Sequence, residues 1–74
     1  MKLRLRDLRE DNNLLQKQLA AMLNCRQQTY SRYETGEVQP PLEALEKLAD
    51  FYNTSIDYLI GLTDETKAYP RKIR

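Results

Sequence analysis

Residues 26–36 read RQQTYSRYETG, and their side chains are of the types that can read the edges of base pairs. A glutamine amide sets one donor beside one acceptor, the pattern adenine presents through its amino group and N7. An arginine fork offers two donors, which match guanine O6 and N7. Wound as a helix at about 100° per residue, the stretch puts Thr29, Tyr30 and Tyr33 on one side. Gln27, Gln28, Ser31, Arg32 and Thr35 share the other. Arg32 stands one turn beyond Gln28, so the two could address neighbouring base pairs. Any solvated helix can display such a face, and the stretch alone decides nothing. The elements that would have to hold it decide.

Apolar spacing predicts five helices and no alternating strand pattern. The first covers about residues 2–12, with Leu5 and Leu8 one turn apart, and stops at Asn12-Asn13, a pair tolerant of left-handed backbone. The second runs from about Gln16 to Leu23 with Leu19, Ala20 and Leu23 on one face. Asn24-Cys25 break it, and the third, the opening stretch, ends at Gly36. VQPP then forces an extended connection, because a residue before proline avoids the helical region. Pro41 suits the first turn of the fourth helix. There Leu42, Leu45, Leu48, Ala49 and Tyr52 keep a helical period to about Asn53. Ser55 is a good N-cap for a short fifth helix, Asp57 suits its first turn, and Gly61 closes it. The sequence thus predicts one all-α domain over residues 1–62. Residues 63–74, TDETKAYPRKIR, are expected to be a flexible basic tail or the start of a linker.

The joint between the second and third helices is the informative one. Only Asn24 and Cys25 lie between Leu23 and Arg26, too few for an antiparallel return, so the helices must cross steeply, with small Ala20 permitting close approach. Such a crossing can lay one helix across a groove rim while the other projects into the groove.

Composition narrows the function classes. A chain of 74 residues buries only about 60% of its unfolded surface and leaves little room for a deep catalytic cavity. With no histidine and one cysteine, the chain lacks an imidazole base and the ligands of a zinc cluster. Acidic pairs such as Glu43 and Glu46 lie on a solvent-facing stripe. No enzyme activity, catalytic residue, metal or cofactor is therefore expected. No apolar run approaches the ~20 residues of a membrane span, and MKLRLRDLRED lacks a signal peptide's apolar core. A lone Cys25 suits a reducing compartment, and the cytoplasm is the expected location. As a small hydrophobe after the turn, it is expected to be inert.

The net charge of +1 conceals an asymmetry. Lys17, Arg26 and Arg32 against Glu34 make residues 13–36 positive. Lys47 against Glu37, Glu43, Glu46, Asp50 and Asp57 makes residues 37–62 negative. A nearly neutral chain can still approach a polyanion if its positive part faces forward.

From Leu14 the chain reads LLQKQLAAMLNCRQQTYSRYETGEVQPPLEALEKLADFYNTSIDYLIG. It resembles the helix-turn-helix domain of the Cro/phage-repressor (XRE-type) transcriptional regulators over about residues 4–62. The resemblance rests on Gln16 with Leu19-Ala20, SRYETG, the segment from Pro40 to Ala49, and SIDYLIG. It implies a five-helix lambda-repressor-like fold, operator binding as a dimer, and no metal or small cofactor. By position it implies that Gln16 holds a backbone phosphate and that Gln27, Gln28, Ser31 and Arg32 make base contacts. It also implies a structural ion pair between Arg9 and Glu34. Leu15 and Arg26 stand where serine or threonine usually caps the second and third helices, an expected cost of about 1 kcal/mol each. Asn24 replaces the usual glycine of the turn, and Tyr30 a smaller aliphatic residue whose place leaves its hydroxyl in need of a partner.

Around the recognition helix, Lys17, Arg26, Thr35 and Gln39 are expected to join Gln16 in phosphate contacts. The partners expected are double-stranded DNA and a second copy of the chain in a weak homodimer, with Tyr58, Ile60 and Leu62 as its interface. Arg71, Lys72 and Arg74 would add salt-dependent affinity. The competing reading is an antitoxin or interaction module whose acidic fourth and fifth helices cover a protein partner while the domain regulates its own operon. A neighbouring toxin gene would favour that reading, and a mobile-element gene the repressor.

Overall fold

The computed structural model describes residues 3–69, which form five helices: α1 (Leu5–Asp11), α2 (Gln16–Met22), α3 (Gln27–Thr35), α4 (Leu42–Tyr52) and α5 (Ile56–Leu59). Left-handed residues punctuate them where the sequence has asparagine or glycine. Asn13 follows α1 at φ 56°, Asn24 forms the α2–α3 turn at φ 56°, and Asn53 ends α4 at φ 53°. Gly36 ends α3 at φ 84°, a conformation that strains any residue with a Cβ. Asparagine tolerates this region better than most residues, so the turn keeps its shape without glycine.

The two doubtful helix starts resolve differently. Leu15 has no capping oxygen for the N–H groups of the first turn, but Gln18 one turn on satisfies the N–H of Leu15 itself: its Oε1 accepts it at 2.7 Å. This is the reciprocal half of a capping box. Arg26 leaves α3 without a side-chain cap. Ser55 caps α5 as expected, its Oγ accepting the Tyr58 N–H at 3.0 Å. Pro41 sits one position earlier than expected, at the N-cap of α4.

Leu5, Leu19, Ala20, Tyr30, Tyr33, Leu45, Leu48, Ala49 and Leu59 form one core with a contribution from every helix. Tyr30 and Tyr33 meet edge to face, ring centres 6.4 Å apart. Leu42 departs from expectation. It lies at the rim of the α4 apolar arc, on the first residue of the helix, and is 66% exposed, while Ala44 is buried in the arc. Residues 63–69 lie against the bundle. Arg4 donates to the Thr63 carbonyl at 2.6 Å and pairs with Asp64, Thr54 donates to the Thr66 carbonyl at 2.7 Å, and Tyr69 donates to Asp57 at 3.1 Å. Arg71, Lys72 and Arg74 are outside the described residues.

Candidate nucleic-acid interface

Burial of Tyr30 and Tyr33 against the core turns the opposite face of α3 outward. Gln27, Gln28, Arg32 and Thr35 are exposed on it, with Ser31 half-buried beside them. Lys17 on α2, Arg26 before α3 and Gln39 after it are also exposed. Among the described residues, Lys17, Arg26 and Arg32 form no ion pair, whereas Arg4, Arg6, Arg9 and Lys47 each have an acidic partner. The motif therefore carries its positive charge unneutralised. Thr35 is engaged on both sides: its hydroxyl donates to the Arg32 carbonyl at 3.1 Å and accepts the Glu37 N–H at 3.4 Å.

Beneath this face, Arg9 of α1 grips Glu34 of α3. Nε donates to Oε2 at 2.6 Å and a terminal nitrogen to Oε1 at 3.1 Å, in the fork geometry that suits a carboxylate. The side chains are 13% and 3% exposed. Arg9 also donates to the Leu14 carbonyl at 3.1 Å, so one guanidinium ties α1, the α1–α2 turn and α3 together. Burial alone would raise the Glu34 carboxyl. Hydrogen bonds from Arg9 and Gln16, with the nearby Tyr30 hydroxyl and the charge of Arg9, outweigh it and hold Glu34 below the usual glutamate range. The same hydrogen bond raises Arg9.

Gln16, expected to face a phosphate, spends one amide N–H on Glu34 Oε1 at 3.0 Å. A carboxylate can only accept, so the amide nitrogen must face it, and the side chain is locked rather than free. Its second N–H remains. Tyr30 is fully buried, and its hydroxyl approaches Glu34 without completing an ordinary hydrogen bond; the Tyr52 hydroxyl is likewise buried without a partner among the described residues. Burial, with Glu34 close by, pushes the Tyr30 phenol well up and that of Tyr52 to about 12. Neither hydroxyl is exposed to a ligand, which assigns Tyr30 to the core and Tyr52 to the shell packed against it.

The three residues expected at a dimer surface fare unequally. Tyr58 is half-buried beneath the Arg4 guanidinium, 4.1 Å above its ring centre, and Ile60 packs against the core. Leu62 is 72% exposed. Arg4 is the residue that sequence reasoning passed over: besides covering Tyr58 it donates to the Tyr58 carbonyl at 3.2 Å. Its place in a run of alternating charge and leucine carried no sign of this.

The α2–α3 crossing, with an outward polar α3 and a three-helix support, defines a helix-turn-helix domain. A helix-turn-helix family model matches residues 5–59, and the chain belongs to that family, of XRE/Cro type, whose members are transcriptional regulators rather than enzymes. The chain is 42% identical over 62 residues to the HTH-type transcriptional regulator YobD of Bacillus subtilis, an alignment covering 84% of this chain and 55% of YobD. It is 40% identical over 58 residues to the cryptic phage CTXphi transcriptional repressor RstR of Vibrio cholerae, covering 78% and 52%. A crystal structure of a transcriptional regulator from Listeria innocua superposes with a TM-score of 0.78 at 35% identity, over 84% of this chain and 58% of that one. The chain thus spans somewhat more than half the length of these relatives. Among the described residues, no helix is long and apolar enough to cross a membrane.

Proposed function

We propose that this domain binds duplex DNA sequence-specifically with α3 in the major groove and acts as a transcriptional repressor. The observation that supports this most is the outward face of α3, where Gln27, Gln28 and Arg32 are exposed and Arg32 has no ion pair among the described residues. Gln27 and Gln28 stand at the helix start, the end that enters the groove deepest, and suit adenine. Arg32 suits guanine, and Ser31 adds a hydroxyl. Gln16, Lys17, Arg26 and Gln39 surround them as phosphate contacts that set register without reading sequence, and Thr35 would join them by turning its hydroxyl away from the Arg32 carbonyl. The name of RstR, a phage repressor, favours repression.

The operator is proposed to be a palindrome read by a weak dimer. Each copy carries one α3 on a backbone whose longest extent is 32 Å, and successive major-groove faces on one side of the duplex lie about 34 Å apart. One copy cannot occupy both. Leu62 is the exposed apolar residue of the proposed interface, with Tyr58 and Ile60 behind it. Selection from random duplexes tests the reading, followed by Arg32→Ala on the selected site. The variant is expected to lose about 1–3 kcal/mol there and to stop discriminating at one base pair. Equal loss on every sequence would reduce Arg32 to a phosphate contact.

A further inference from the structure

We propose that the cavity where α1, α2 and α3 meet seats a DNA backbone phosphate, with Arg6 as its cationic donor; this rests on the DNA-binding reading above. The cavity has a volume of about 310 Å³ and is lined by Arg6, Arg9, Gln16, Ser31, Glu34 and Thr35. Ser31 and Thr35 belong to the outward face of α3, so the cavity opens beside the surface that would meet the groove. A helix lying in the major groove has a phosphate strand along each flank, and the supporting helices of the motif cross that backbone.

The charge balance of the lining favours an anion. Glu34 carries the negative charge, but its carboxylate already accepts two N–H groups from Arg9 and one from Gln16. Arg9 neutralises it at the cavity floor. What remains is Arg6, one turn before Arg9 on α1. Its ion pair with Glu10, one turn away, is long at 3.6 Å, and the two side chains are 69% and 54% exposed. Such a pair holds an arginine weakly, and the guanidinium can leave it for a phosphate oxygen, which accepts charge-assisted N–H bonds in the same fork geometry as a carboxylate. Gln16 adds its second N–H, its amide orientation already set by Glu34. Ser31 brings a hydroxyl from the opposite wall, where Thr35 lines the cavity with its own proton held by the Arg32 carbonyl.

The test is the salt dependence of binding to the selected duplex, measured for the full chain and its Arg6→Gln variant. Losing one phosphate contact should flatten the slope of log K against log salt by about 0.9, roughly an eight-fold loss at 0.1 M salt that fades toward 1 M. The loss should be the same on preferred and scrambled duplexes. Arg6→Lys should recover most of the slope, and the melting midpoint of Arg6→Gln should stay at that of the unaltered protein. Lys47→Gln, which removes a cation from α4, should leave the slope as it was. An Arg6→Gln slope equal to the unaltered protein's overturns the proposal, as does an equal flattening by Lys47→Gln, which would make the effect one of net charge. If the unaltered protein binds no duplex, the DNA-binding reading falls and the phosphate seat with it.

Discussion

Replacing Arg9 by alanine tests the link between the support and the reading face. The side chain is 13% exposed and its partner Glu34 3% exposed, so the substitution leaves a buried carboxylate with Gln16 as its one remaining full hydrogen-bond donor. Breaking such a pair costs about 3–5 kcal/mol, and the lost bond to the Leu14 carbonyl at 3.1 Å places the expectation in the upper half of that range. A chain of 74 residues has a total stability of about 4–11 kcal/mol, so Arg9→Ala should approach global unfolding at ambient temperature. Urea denaturation followed by far-ultraviolet circular dichroism, on Arg9→Ala, Glu34→Ala and the double variant, gives the coupling between the two. The double variant removes the stranded charge as well as the pair and should be less destabilised than the two single losses combined, by about 1–3 kcal/mol. Coupling below about 0.5 kcal/mol would refute the account of the pair. At a temperature where the variant is still folded, its preference among bases should be unchanged, because Arg9 faces Glu34 and not the groove. The pair also sets a pH dependence. Glu34 is held below its unfolded value, so the stabilisation is fully present above the ordinary glutamate range near pH 4.3 and is lost as pH falls through the folded value. Glu34→Gln should remove that acid limb.

The tyrosines set the opposite limit. Tyr30 and Tyr52 are held neutral by burial, Tyr52 to about pH 12, so stability should decline as pH rises above about 10, where the unfolded phenols ionise first. Absorbance at 295 nm should show these two of the five tyrosines ionising only as helical circular dichroism is lost; ionisation of all five near pH 10 in a folded chain would contradict their burial. For the dimer, Leu62→Asp should weaken binding to a selected palindrome several-fold and leave a single half-site unaffected. Equal affinity of the unaltered protein for palindrome and half-site, with one copy bound to each, would remove the dimer.

Much of the fold was legible because helical periodicity and turn chemistry are local. Tyr30 and Tyr33 share one face of α3 by spacing alone, and Asn13, Asn24 and Gly36 announce left-handed turns by residue type. The short α2–α3 joint leaves too few residues for an antiparallel return, so a steep crossing is written into its length. From those facts followed the outward polar face of α3, which is the basis of the proposed function. The pairing of Arg9 with Glu34 came from resemblance, since no local rule connects residues 25 positions apart.

Tertiary structure decided what depends on which helix lies beside which. It locked the Gln16 amide onto Glu34, put Arg6 in the lining of a cavity shared with α2 and α3, and laid Arg4 over Tyr58. It left Leu42 and Leu62 in water and residues 63–69 against the bundle. An apolar period states which arc of a helix is buried, but the width of that arc is set by the neighbour that covers it, so residues at its edges and ends are undetermined. A charged side chain is more ambiguous still. The same arginine can face solvent, close a buried pair or cap a ring, and the energies that separate these outcomes come from partners supplied by other helices.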